Sequence, residues 1–317
     1  MDCSNISFTN QSYLNLFQLT VYIPVFFLGV IFNVIAFWVF CHKLKKWTET
    51  RVYMINLVIA DCFLLFTLPF IIYFHNTSYP TNKLCYVIQT IYFTNMPVSI
   101  YIITLIAVDR FVAIKYPLKA KSFRSPLKAA VICGFLWITI IIYASLNPRF
   151  SEKEKVCFRK RSAEPLTTSL LSTIWGFFIP LVILSFCSIQ VIWCLKKKKD
   201  TSSHEETSIR KALWIVSMNL CVFITCFLPF NLGLLIRYAV DVVGAACSVR
   251  QNASSFIRVA ACIANSNCCL DALCYYFVAK EFQEASSELP PFKAMKSRSN
   301  QSKESQLQTH TSSQNNV

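Results

Sequence analysis

The stretch CYVIQTIYFTNMPVSIYIITLIAVDRFVAIKYPL, residues 85–118, decides the fold. Residues 85–108 carry no formal charge, and about 20 apolar residues suffice for a helix to cross the hydrocarbon core. The run then ends on Asp109-Arg110-Phe111, followed by Tyr116-Pro117-Leu118. Pro97 inside it is read as a structural kink, because neighbouring helices or waters re-satisfy a freed carbonyl in a membrane.

Six further stretches of this kind lie on either side. Together the seven expected spans are Phe17–Cys41, Val52–Phe74, Cys85–Ile114, Ala129–Asn147, Thr168–Leu195, Ala212–Val240 and Phe256–Ala279. The composition of all 317 residues agrees: 55% are apolar, only 15% are charged, and Gly and Pro number 5 and 12. The apolar content therefore belongs to long uninterrupted segments rather than turn-rich sheets. The expected fold is an all-α membrane protein: a seven-transmembrane helix bundle with a short amphipathic eighth helix. Residues 1–16 are expected as an extracellular N-terminus, 17–279 as the seven-span domain, 280–287 as the membrane-surface helix and 288–317 as a disordered cytoplasmic tail.

The net charge of +15 does not point to nucleic acid, because the basic residues sit in short clusters between spans. Lys43, Lys45, Lys46 and Arg51 occupy the first connector, Lys115 to Lys128 the third, and Lys196 to Lys199 the fifth. With these inside, the N-terminus lies outside a plasma membrane crossed many times. The sequons at Asn5, Asn10, Asn76 and Asn252 then all fall on the outer side as glycosylation candidates. Cys85 and Cys157 also face that oxidising side as the natural disulfide pair, and Cys3 with Cys247 is a candidate second bridge.

Polar groups inside spans are costly and usually mark function or buried pairing. Asn33, Asp61, Ser99, Asn267 and Asp271 lie near the middle of spans one, two, three and seven. Two carboxylates meeting there require a proton or a cation. Sodium at Asp61, Ser99, Asn267 and Asp271 is the expected allosteric ion, against a protonated network without one; no other cofactor is expected. At the inner end of span three, Asp109 can hold Arg110 in an intrahelical pair that breaks to offer the arginine to a partner.

These residues, taken with Leu57, Trp137, Pro180, Phe223-x-x-Cys226-Phe227-x-Pro229 and Asp271-x-x-x-Tyr275, resemble the rhodopsin-like G-protein-coupled receptors over nearly the whole chain. A narrower likeness, to a branch responding to small organic anions and lysophospholipids, is carried by residues 47–51, 267–272 and 274–286. The resemblance implies that Asp109, Arg110, Phe111, Phe227, Pro229 and Tyr275 serve activation. It further implies coupling to heterotrimeric G proteins of the inhibitory or twelve/thirteen class, with arrestin and receptor kinases meeting the tail. Three departures bear on activation: Phe227 replaces a Trp, Ser188 a Tyr, and Ala272 a Pro whose absence should straighten span seven. Met96 and Asn147 stand where the branch carries arginines.

Tyr92 and Met96 have no acid beside them, which argues against an amine ligand. The outer loop from Arg149 to Glu164 is rich in cations, and Arg237 and Arg258 lie near the outer ends of spans six and seven. The expected ligand is a small anion or lysophospholipid held by Arg159, Arg237 and Arg258, with Tyr92, Phe93 and Met96 giving apolar contact; solvated loop charges are the alternative. No nucleophile–base pair suggests an enzyme. A transporter is the rival class, because Asp61 and Asp271 could line an ion path.

Overall fold

A computed structural model describes residues 8–43, 47–77, 79–118, 120, 124–146, 156–158, 164–197 and 203–272. The described part is helical, with one isolated β-bridge between Pro80 and Val156. In chain order the helices are α1 (Phe8–Trp38, continued by the π-helical turn Val39–Lys43), α2 (Glu49–Thr77), α3 (Lys83–Lys115) and α4 (Pro126–Leu146). They are followed by α5 (Thr167–Thr173, the π-helical turn Ile174–Phe178, then Ile179–Lys197), α6 (Ser203–Val242) and α7 (Cys247–Asn265). After a break at Ser266 the chain is helical again over 267–272. Six of these helices are long and apolar enough to span a membrane, and the chain is a multi-pass membrane protein. The expected surface helix and tail fall outside the described residues.

Two helix starts differ from the apolar count. Helix α1 begins at Phe8 rather than Phe17, because the polar side chains of its first turns find partners. Asn15 Nδ2 donates to the His75 carbonyl of α2 at 3.3 Å. Helix α7 begins at Cys247 rather than Phe256, with α6 packed along its first turns: Asp241 Oδ1 lies 3.6 Å from Arg250 Nε, and Arg237 Nη1 donates to the Arg250 carbonyl at 3.2 Å. Helix α7 is interrupted at Ser266, whose Oγ donates back to the Cys262 carbonyl at 2.9 Å. The stretch that would follow Ala272 lies outside the described residues.

Close helix approach fixes the core. A Cβ on Gly29 would stand 2.6 Å from Leu65 Cδ2, so α1 meets α2 only through this hydrogen. Tyr22, Val25, Leu64, Leu65, Leu68, Ile71, Cys262 and Cys268 pack together there, joining α1, α2 and α7. The π-helical turn in α5 presents the Trp175 carbonyl sideways, and Tyr101 of α3 donates its hydroxyl to it at 2.8 Å.

Candidate functional site

The site residues divide among three levels of the bundle. At one end Cys85 of α3 is joined to Cys157 by a disulfide, so this is called the disulfide end. Cys247 is also disulfide-bonded, while Cys3 and Asn5 lie outside the described residues. The bridge pins a short loop segment whose Cys157 N–H donates to the Tyr79 carbonyl at 2.8 Å. It also delivers Phe158, at φ 59, onto the bundle. The ring of Phe158 meets Tyr92 edge-on at 5.5 Å and Phe93 at 5.9 Å. Two expected ligand contacts are thus covered by an aromatic residue that gives no signal in sequence, because a Phe in left-handed backbone cannot be anticipated.

Tyr92 is also tied into the bundle. Asn265 Nδ2 donates to the hydroxyls of Tyr22 at 3.0 Å and Tyr92 at 3.2 Å, linking α1, α3 and α7. Met96 sits half-buried one turn below Tyr92.

The expected cations do not converge. Arg159 lies outside the described residues. Arg258 of α7 turns toward α1, where Gln18 Oε1 accepts from its Nη2 and Asn15 Oδ1 accepts at 2.7 Å. Arg237 of α6 instead forks onto its own helix, its Nε donating to Asp241 Oδ1 and Oδ2 at 3.1 and 3.0 Å. Arg250 Nε lies 3.6 Å from the same Oδ1. Arg237 is thus paired with Asp241 within its own helix, at an i,i+4 spacing that was legible. Asn76 and Asn252 have exposed side chains at the ends of α2 and α7, while Asn10 falls within α1.

Midway through the bundle, Asn33 Nδ2 donates to the Gly29 and Cys268 carbonyls at 3.0 and 3.1 Å, and Asn267 Nδ2 donates to Asp271 Oδ2 at 2.5 Å. The buried oxygens Asp61 Oδ2, Ser99 Oγ, Asn267 Oδ1 and Asn33 Oδ1 have no hydrogen-bond partner. Asn95 Oδ1, one turn before Ser99, shares this state and is missing from the expected set. Among the described residues no three His, Cys, Asp or Glu side chains gather. The donors at this level are the amide and hydroxyl oxygens of Asn33, Asn95, Ser99 and Asn267 and the carboxylates of Asp61 and Asp271, oxygens of the kind that suit a hard cation.

At the far end, the tip of α3 is clamped. Arg124, just before α4, donates from Nε and Nη2 to Asp109 Oδ1 and Oδ2 at 2.8 and 3.0 Å. Thr50 Oγ1 of α2 donates to Oδ2 at 3.0 Å, and Arg124 also reaches Glu49 at 3.2 Å. The partner expected for Asp109 was Arg110; the structure pairs Asp109 with an arginine from the connector, Arg124, which no local spacing announces. Phe111 packs against Phe186 of α5 at 5.9 Å and edge-on to Tyr116 at 6.0 Å.

Between the two ends runs an aromatic chain. Phe177 of α5 stacks on Phe223 at 5.7 Å, and Phe223 meets Phe227 edge-on at 5.3 Å. Pro229 lies within α6 two residues on. Tyr275 lies outside the described residues.

The model of the family described as "7 transmembrane receptor (rhodopsin family)" matches residues 32–275. The chain belongs to the rhodopsin-like G-protein-coupled receptors. It is similar to human G-protein coupled receptor 35, with 42% identity over 276 residues, covering 85% of this chain and 87% of that one. It is also similar to mouse G-protein coupled receptor 55, at 34% over 285 residues and 84% and 86% coverage. Chicken lysophosphatidic acid receptor 6 matches at 35% over 274 residues, covering 82% and 89%. The rhodopsin-like chain is accordingly a receptor rather than an enzyme or a transporter. Within it, the aromatic chain through Phe227 and the clamp on Asp109 occupy the two regions that the sequence pattern assigns to activation.

Proposed function

We propose that this receptor binds an extracellular anionic small molecule or lysophospholipid and activates heterotrimeric G proteins of the inhibitory or twelve/thirteen class. The supporting observation is the charge of the α6–α7 pair at the disulfide end. From Phe230 to Cys262 the charged residues are Arg237, Arg250 and Arg258 against Asp241 alone. Arginines placed so deep favour oxyanions, whose planar or branched oxygens match the guanidinium fork. Two related receptors are named for lysophosphatidic acid and G-protein coupling, which suits the same reading.

In this proposal the disulfide end faces outside the plasma membrane, with Asn5, Asn10, Asn76 and Asn252 as glycosylation sites. Arg110 meets the G protein, and the tail meets receptor kinases and arrestin. Sodium is the mid-bundle cation, held by Asp61, Ser99, Asn267 and Asp271. When bound it would neutralise the paired carboxylates; the chain's part is to supply oxygens from three helices and exclude bulk water.

The test uses full-length receptor in lipid nanodiscs with a panel of G proteins, reading nucleotide exchange. Lysophosphatidic acid and small carboxylates are compared with their neutral esters. The acids should activate and the esters should not. Arg258→Ala removes a charge-assisted bond of about 1.5–3 kcal/mol, so the effective concentration should rise about tenfold or more. Arg110→Ala should abolish exchange. An acid response that Arg258→Ala leaves unchanged at equal surface expression would sink the anion reading.

A further inference from the structure

The hairpin between α6 and α7 gathers two guanidiniums on one carboxylate. Gly244 supplies the turn, adopting a φ of +69 that side chains resist. Its N–H donates to the Asp241 carbonyl at 3.2 Å, and the Ala245 N–H to the Val240 carbonyl at 3.1 Å. Just four residues separate Val242 from Cys247, so Asp241 in the last turn of α6 faces Arg250 in the first turn of α7.

Each of these charges opposes the dipole of its own helix, an anion at a C-terminus and a cation at an N-terminus. The helix dipoles therefore give no reason for either residue. Arg237, Asp241 and Arg250 are each more than nine-tenths buried. Arg237 Nε spans both carboxylate oxygens, and Ser254 Oγ accepts from its Nη1. Arg250 Nε, at 3.6 Å from Oδ1, is within ion-pair range but makes no hydrogen bond. A buried guanidinium N–H held just short of an occupied carboxylate marks a position where a second oxyanion geometry would fit better.

We infer that Arg237 and Arg250 form an oxyanion seat that Asp241 fills with its own carboxylate until a ligand carboxylate or phosphate exchanges with it. This rests on the anionic-ligand reading above and names the seat for it. The exchange replaces one anion with another, so it avoids stranding a buried charge. Arg237 and Asp241 lie four residues apart on one helix, so rigid helix movement cannot separate them. A competing anion can.

Chemical rescue tests the seat. Full-length Asp241→Ala receptor in detergent should melt several degrees below the wild type. Acetate or inorganic phosphate, each against chloride at matched ionic strength, should restore that loss in a saturable manner while leaving the wild type unmoved. Rescue by acetate identifies a carboxylate seat, and rescue by phosphate alone identifies a headgroup seat. Rescue by neither overturns the proposal. Asp241→Ala/Arg250→Ala should lose the rescue, and rescue that persists overturns the part given to Arg250.

If Asp241→Ala is not recovered in chloride, membranes are extracted in acetate, in phosphate and in chloride. Folded receptor from either oxyanion supports the seat; none from any, with Asp241→Glu folded, overturns it. Acid-driven nucleotide exchange in the wild type is scored separately. Rescue without such activation would defeat the ligand reading alone, and activation without rescue would defeat the seat alone.

Discussion

Each end of this bundle has an arginine forked onto an aspartate, and the two forks differ in what can open them. At the disulfide end, Arg237 and Asp241 have side chains 10% and 0% exposed and belong to one helix. At the other end, Arg124 is 28% exposed and Asp109 7%, and the arginine comes from the connector before α4. The bonds differ too: Arg237 shares one Nε–H between both oxygens of Asp241, whereas Arg124 uses Nε and Nη2 on one oxygen of Asp109 each. The first pair lies within α6, whereas the second joins Glu49 and Thr50 of α2 to the tip of α3 and would part if those helices shifted. The pair within one helix suits a seat for an anion and the pair between helices suits a latch, and the elements that carry the charges make the difference.

Asp241→Leu offers the largest break in that comparison. It leaves Arg237 and Arg250 buried beside an apolar side chain, and removing one member of a buried ion pair costs about 3–5 kcal/mol. Thermal unfolding of the solubilised receptor should show this loss in full. Arg124→Ala, by contrast, should cost stability by about 1 kcal/mol, because its partly exposed charge returns to water. Equal losses would show that burial does not separate the two forks.

How much of this was legible in sequence follows the same division. Seven spans, the disulfide-forming Cys85 and Cys157, and the buried polar positions Asn33, Asp61, Ser99 and Asn267 could all be read, because burial in a membrane selects residue types locally. The Arg237–Asp241 spacing was on view as an i,i+4 pair, yet the arginine reads more naturally as a ligand cation until its partner is seen. Arg250 was hidden by hydropathy, which starts the seventh span after it. Arg124 could not have been found. Its partners Glu49 and Asp109 come from two other helices, and no short-range pattern encodes such a meeting. Phe158 was equally silent, since its position over Tyr92 and Phe93 depends on a disulfide and a left-handed backbone together.

The latch makes its own prediction in signalling. A bidentate pair in a small network holds the α2–α3 tip with about 1 kcal/mol, the upper end for a partly exposed pair. If that energy favours the inactive arrangement, Arg124→Ala should raise ligand-independent nucleotide exchange about fivefold. Arg124→Lys should restore little of it, because an ammonium cannot span both carboxylate oxygens. Thr50→Val should act in the same direction but more weakly, about threefold, since it deletes a single hydrogen bond of roughly 0.7 kcal/mol. Basal exchange in nanodiscs at equal receptor density measures all three. A Thr50→Val effect as large as that of Arg124→Ala would place the hold on α2 packing rather than on the arginine. Unchanged exchange in both would mean that Asp109 is kept by interactions within α3, and the latch would be structural only.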